Sequence, residues 1–274
     1  MSTISLDNRQ KSEVLAHLGV PEMAATLPFL EQLLAAYYCT IPWESAFRIV
    51  RQAETNTPSP RWPEQFWHEA LTQGSGGTCF ESNYAFFALL QSLGFAGYLT
   101  INNMGESIGC HTAIVILLDG QKWLVDAGLP LYAVLPIKSQ EVVQRSSPFL
   151  DYTVRPDGRF HYQIERSPHP KPNAFTLIDE PVDDAAYRAA TTADYGENGL
   201  FLDTVIVNKI INNQPWRFNM AERPWRLNRF DWGRRIDYEM AGDVATAVAE
   251  HFGLETAVVQ KAFRLLAGRE EKRP

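Results

Sequence analysis

Two runs rich in β-branched and aromatic residues, 110–118 and 121–128, meet at Asp119-Gly120. Flanked in this way, Asp-Gly is the strongest short-range signal for a β-hairpin, because the tightest turns need positive φ at their central residues. A two-residue turn also sets the register. Leu118 faces Gln121, and counting back puts Ala113 opposite Asp126 and His111 opposite Gly128. Side chains alternate along a strand, so His111 shares a face with Ala113 and lies diagonal to Asp126, roughly 7–8 Å away at Cα and within side-chain reach. A turn one residue longer would put the two on opposite faces. An imidazole beside a carboxylate is a base with an orienting group. The competing reading is an exposed strand histidine and an unrelated aspartate. Asp126 weighs against it, since it ends the apolar run Trp123-Leu124-Val125 beside Ala127 and Gly128, and a carboxylate buried there needs a partner.

A second feature supplies what such a pair would act on. Gly74-Ser75-Gly76-Gly77-Thr78-Cys79 runs directly into Phe80-Glu81-Ser82-Asn83 and an apolar stretch to Phe95. The glycines allow a tight turn and leave the thiol uncrowded. Tyr84, Phe86, Phe87, Leu89, Leu90 and Leu93 recur at helical spacing, and Gly94 closes the run as a C-cap. Cys79 therefore opens a buried helix, where the helix dipole and free N–H groups favour a thiolate nucleophile. The turn residues Gly77 and Thr78 are candidates for the backbone donors of an oxyanion hole. A small buried thiol with glycines serving close packing is the plainer alternative. Cys79, His111 and Asp126 together follow the logic of covalent acyl transfer.

Composition narrows the rest. Of 274 residues, 45% are hydrophobic and 21% charged, enough for a sizeable core and two or three subdomains. A net charge of −7 argues against nucleic acid or an anionic membrane as partner. No apolar run is long enough to span a bilayer, and the N-terminal stretch lacks a secretory pattern. The three cysteines, Cys39, Cys79 and Cys110, make no disulfide framework and fit a reducing cytoplasm, the expected location. Without CxxC, HExxH or a His-rich tract, no metal site is expected.

Residues 7–53 read as helices, the first capped by Asp7; 53–63 read as a loop, and Trp62 to Leu71 as a short helix. Residues 97–102 form a strand, 128–148 an irregular connection, and 151–168 a second hairpin around Pro156-Asp157-Gly158. A helix follows near 183–190, then strands around 202–210, 215–218 and 224–227, and a closing helix over 243–266 broken near Gly253. His68 is a second-rank partner for Cys79, through nearness in sequence alone. Cys39 and Cys110 read as core. The arginines at 217, 223, 226, 229, 234 and 235 suit either a phosphate-bearing substrate or a solvated strand face. Trp43, Phe47 and Phe80 crowd the glycine turn, and Leu129, Leu131 and Tyr132 follow Asp126. Such a lining suits an apolar or aromatic substrate, with charged aliphatic amines poor acceptors.

Ile41-Pro42-Trp43-Glu44-Ser45, then residues 76–83, Cys110-His111-Thr112 and Leu124-Val125-Asp126-Ala127-Gly128, in this order and spacing, resemble the arylamine N-acetyltransferases. The resemblance is carried by residues 27–128, with the remainder compatible. It implies an α+β fold with a cysteine-protease-like core: an N-terminal helical bundle over 1–95 carrying the cysteine, a central antiparallel β-barrel over 96–200 carrying His and Asp, and a C-terminal α/β lid over 201–274. It further implies ping-pong transfer of an acetyl or other acyl group from acetyl-CoA, a co-substrate and not a permanently bound cofactor, to an aromatic amine, hydrazine or hydroxylamine. Cys79 would be the nucleophile, His111 the base and Asp126 the orienting acid. The implied partners are these small molecules, in a monomer or homodimer. The rival is a cysteine hydrolase, or an amide synthase using a carrier-bound acyl chain, with the same triad. Two departures stand out. Ser75 stands where the family usually has arginine, so Glu44 is expected to pair with Arg48 or Arg51. Ala127-Gly128-Leu129-Pro130 stands where it reads Val-Gly-Phe-Gly.

Overall fold

The computed structural model describes residues 4–55, 57–196 and 199–270. The first three residues of the N-terminal stretch and Asn56 of the 53–63 loop lie outside the described residues. The described chain runs α1 (Asn8–Leu18), α2 (Leu27–Thr40), β1 (Trp43–Glu44), α3 (Ala46–Thr55), α4 (Pro63–Gln73) and α5 (Cys79–Ser92). Strands β2 (Ala96–Met104), β3 (Ser107–Leu118), β4 (Gln121–Val125), β5 (Leu135–Ile137), β6 (Val143–Ser146), β7 (Asp151–Pro156), β8 (His161–Ser167) and β9 (Asn173–Ile178) follow. The last part holds α6 (Asp184–Asp194), β10 (Ile206–Ile211), β11 (Gln214–Asn219), β12 (Arg226–Asp231), β13 (Arg234–Glu239), α7 (Val244–Phe252) and α8 (Thr256–Glu270).

Strands β2 to β9 form one eight-stranded antiparallel sheet in the order β5-β4-β3-β2-β9-β8-β7-β6, whose ends curl toward each other as a nearly closed barrel. β5 and β6 lie within the stretch expected to be irregular. Each is only three or four residues long, β5 with Pro136 at its centre, and pairing to β4 and β7 makes them strands. A five-stranded sheet, β1-β10-β11-β12-β13, carries the C-terminal part. The α+β architecture is the expected one, helices first, barrel second, smaller α/β layer last.

Three cores hold this together. Helices α1, α2, α4 and α5 share one with the outward face of β3, through Ile114 and Ile116. α5 is apolar nearly all round, as a central helix must be; Tyr84, Ala85, Phe86, Ala88, Leu89 and Leu90 have no solvent exposure. Ala113, Val115 and Leu124, on the other face, fill the barrel with Tyr152, Ile164 and Leu177. The third core joins β10 and β11 to α7, α8 and also α3, through Phe47, Ile49 and Val50. β1 and α3 thus pack with the C-terminal layer although they lie early in the chain. No helix among the described residues is long and apolar enough to cross a membrane.

Candidate active site

The β3–β4 hairpin has the register that the Asp119-Gly120 turn implies: Leu118 pairs with Gln121 and Ile114 with Val125. The ladder stops there, one pair short of Ala113 and Asp126, so the carboxylate leaves the strand just where it reaches the imidazole. His111 Nε2 lies 2.6 Å from Asp126 Oδ2, with 2% and no side-chain exposure respectively. The Phe175 ring, from the barrel wall, packs on the imidazole at 4.6 Å. Asp126 is fixed from several sides. Its Oδ1 accepts from the backbone N–H of Gly128 and Leu129, both at 2.8 Å, and from Asn83 Nδ2 at 3.0 Å.

Cys79 is the first residue of α5, after Thr78 in extended conformation as N-cap. Its thiol faces the Cys110 carbonyl at 3.7 Å, and its own carbonyl accepts from Thr112 Oγ1 at 3.0 Å. With Nε2 committed to Asp126, the other ring nitrogen of His111 is left for the sulfur. Burial opposes the imidazolium, but the Asp126 carboxylate and the contact with Cys79 outweigh it and push the imidazole from 6.5 up to about 10. The site therefore favours a protonated imidazole held between a carboxylate and a thiol.

Backbone approach decides how the parts fit. A Cβ on Gly128 would lie 2.4 Å from the Cys79 Cα, so the loop after β4 rests directly against the Cys79 backbone. A Cβ on Gly76 would lie 1.6 Å from the Pro42 carbonyl oxygen. These positions need glycine for space. The Tyr38 hydroxyl, from α2, bonds the Asp126 carbonyl and accepts from the Leu131 N–H at 3.2 Å, pinning the same loop from below.

Several sequence expectations need correction. Cys39 is exposed and Cys110 partly so, its sulfur turned toward the Ser107 carbonyl at 3.4 Å. Cys39 continues the exposed face of α2 with Gln32 and Ala35, and Cys110 lies near the exposed start of β3. His68 lies on the exposed side of α4. Glu44 pairs with neither Arg48 nor Arg51: Arg48 bonds Asp194 at 2.8 Å and Arg51 reaches Glu69 at 3.5 Å. Glu44 instead accepts from the Phe47 N–H at 3.0 Å, capping α3, and burial raises its carboxyl while Arg61 opposes the rise. Of the proposed substrate lining, Trp43 borders a narrow cleft with Tyr38, Ala127, Pro130, Tyr132 and Lys209. Leu129 is half-buried against the barrel core, whereas Phe47, Phe80 and Leu131 are packed inside the three cores. Three of the six C-terminal arginines are ion-paired strand-face residues: Arg235 bonds Glu222 at 2.6 Å, Arg226 reaches Asp237 and Glu239, both at 3.4 Å, and Arg217 reaches Glu222 at 3.6 Å.

Sequence reasoning gave little weight to Asn83 and overlooked Arg61. Asn83 had a signal, because four residues after Cys79 on a helix is the same face one turn on. Arg61 had none, lying in a loop between Pro60 and Trp62.

The comparisons bear on the family and the fold. No curated protein matches the chain. Among solved structures, the arylamine N-acetyltransferase of Mycobacterium abscessus superposes with TM-score 0.78 at 20% identity, over 94% of this chain and 95% of that one. The Mycobacterium marinum enzyme, in complex with CoA, gives 0.77 at 17% identity, over 93% and 97%. The Bacillus cereus enzyme, described as having a Cys-His-Glu catalytic triad, gives 0.73 at 18% identity, over 91% and 99%. These likenesses concern the fold, and a family model for N-acetyltransferases matches residues 26–260, most of the sequence. A helix-borne cysteine facing a barrel-borne histidine and aspartate thus sits in a chain that belongs to the N-acetyltransferase family and has the arylamine N-acetyltransferase fold.

Proposed function

We propose that Cys79, His111 and Asp126 carry out ping-pong acyl transfer from an acyl-CoA, acetyl-CoA first among them, to an aromatic amine, hydrazine or hydroxylamine. The observation that carries the reading is the buried 2.6 Å contact between His111 Nε2 and Asp126 Oδ2 beside a cysteine at a helix N-terminus. The Cys79 thiolate attacks the thioester carbonyl carbon. As the C–S bond to CoA breaks, the CoA thiolate takes the imidazolium proton of His111, which leaves the imidazole neutral. The acceptor nitrogen then attacks the acyl-enzyme carbonyl, His111 removes the N–H proton, and the Cys79 thiolate leaves as the amide forms. In this reading the oxyanion is met by backbone N–H groups at the helix start around Cys79, a contribution of about 3 kcal/mol for each well-aimed donor.

The CoA bound in the M. marinum relative supports CoA as donor here. Intact-mass measurement after incubation with acetyl-CoA tests the reading. A single acetyl adduct that is missing in Cys79→Ala, and is discharged by an arylamine faster than by water, is expected. Absence of any adduct, or equal discharge by water alone, would overturn it.

A further inference from the structure

Beneath the turn that presents Cys79 lies a second buried ion pair that takes no part in the acyl-transfer steps above. Glu81 is in the first turn of α5, and its side chain and that of Arg61 both have no exposure. Arg61 Nη2 donates to Glu81 Oε2 at 2.7 Å, and the Arg61 backbone N–H donates to Oε1 at 2.7 Å. The same Nη2 donates to the Gly76 carbonyl at 2.6 Å, while Nη1 reaches Ser75 Oγ at 3.3 Å and Glu69 Oε2 at 3.2 Å. The Tyr195 hydroxyl completes the set, donating to Glu81 Oε1 at 2.6 Å. Gly77 leaves the pair its seat: a Cβ there would lie 3.2 Å from Glu81 Oε2 and 3.3 Å from Arg61 Nη2.

A carboxylate in the first turn of a helix ordinarily favours the helix. Here it shares that turn with a thiolate nucleophile, and like charges in a buried site are poorly screened. Arg61 cancels the charge. A guanidinium keeps its proton throughout the working pH range, so the cancellation does not come and go with pH. The groups around Cys79 are His111 from β3, with Asp126 behind it, and Tyr187 from α6, while Glu81 stands two residues further along α5 and Arg61 reaches the preceding turn at Gly76. Glu81 itself is faced by Arg61 and Tyr195, with Glu44, Asp194 and Tyr37 further out.

Resting on the reading of Cys79 as nucleophile, we propose that Arg61 is a positioning residue of the acyl-transfer site: it neutralises Glu81 and holds the Gly76 carbonyl, leaving the positive end of α5 to act on the Cys79 sulfur. A structural role alone would make loss of either partner loosen the turn in the same direction. The electrostatic role gives opposite signs. The test is the rate of Cys79 alkylation by iodoacetamide at mildly acidic pH in the full chain, read on the Cys79 peptide because Cys39 is exposed. Glu81→Gln keeps size and shape and leaves the Arg61 charge in place, so alkylation speeds up by about threefold to tenfold. Arg61→Gln frees the Gly76 carbonyl and leaves Glu81 without its cation, so alkylation slows by about tenfold or more. Both variants are checked by circular dichroism; if Arg61→Gln does not fold, Glu81→Gln decides alone. A slower or unchanged rate in folded Glu81→Gln overturns the proposal. His111→Gln, run beside them, separates the two readings. A wild-type rate there would remove the Cys79–His111 pair on which this proposal rests. A slowed rate there, without acceleration in Glu81→Gln, would remove the role of Arg61 alone.

Discussion

The N-terminus of α5 lies between two buried ion pairs of nearly equal length, His111–Asp126 at 2.6 Å and Arg61–Glu81 at 2.7 Å. Both shield a carboxylate from solvent, and both carboxylates have further donors: backbone N–H groups and Asn83 for Asp126, Tyr195 and the Arg61 N–H for Glu81. They differ in the cation. Imidazole can give up its proton, so the pair in front of Cys79 suits proton movement. Guanidinium cannot, so the pair behind it can only set a fixed charge and a fixed geometry. In the proposed mechanism similar contacts thus serve a working part and a static one, and only the chemistry of the cation tells them apart.

The largest effect should come from breaking the front pair. Asp126→Asn keeps the shape of the side chain but presents His111 with the wrong hydrogen-bonding partner, so kcat/KM for acetyl transfer is expected to fall by about a thousandfold with the circular dichroism spectrum unchanged. Alkylation of Cys79 at mildly acidic pH should slow by about tenfold or more. A fully active, folded Asp126→Asn protein would erase the distinction between the two pairs.

Titration sharpens it next. The folded protein raises the His111 imidazole from 6.5 to about 10, so the stabilisation linked to it is complete below about pH 6.5 and is lost as the pH climbs through about 10. The melting temperature of the wild type should therefore drop more steeply between pH 7 and pH 10 than that of His111→Gln. Arg61→Gln, if folded, should keep the wild-type steepness, because neither partner of the rear pair titrates in that window. Equal slopes in the wild type and His111→Gln would show that the front pair is not titrating there.

The smallest effect belongs to the rim of the rear pair. Tyr195→Phe removes one hydrogen bond to a buried carboxylate, a loss of about 1–2 kcal/mol, which for a chain of this size lowers the melting temperature by roughly 2–6 °C. Acetyl transfer should stay within about threefold of wild type, since Arg61 and its contact with Gly76 remain. A drop beyond tenfold in kcat at unchanged melting temperature would move the rear pair from static support into the chemistry.

The front pair was legible in the sequence because it is encoded locally. One two-residue turn sets the register of β3 against β4, and the register sets which side chains meet. Helix α5 was legible for the same reason, through apolar spacing after a glycine turn. The rear pair was not. Arg61 and Glu81 are twenty residues apart with helix α4 between them, and their meeting depends on how α4 lies against α5, where Trp67 Nε1 donates to the Ala85 carbonyl at 2.9 Å. No periodicity records that docking, and a charged residue in a Pro-rich loop reads as solvated until the layers close over it. The same holds for Phe47 and Leu131. Their apolar character is plain, but whether they face a cleft or a core is settled by which layer packs against them.

What the sequence by itself determined is therefore the set of local units: the helix that opens on Cys79, the hairpin that brings His111 to Asp126, and the order in which helices give way to strands. Turn chemistry and side-chain alternation act over a few residues, and that is enough to specify them. The tertiary structure alone decided the approach of Gly128 to the Cys79 backbone, the burial of Arg61 against Glu81, and the pinning of the Asp126 loop by Tyr38. Each of these joins elements distant along the chain through close packing, and such contacts exist only once whole layers have been brought together.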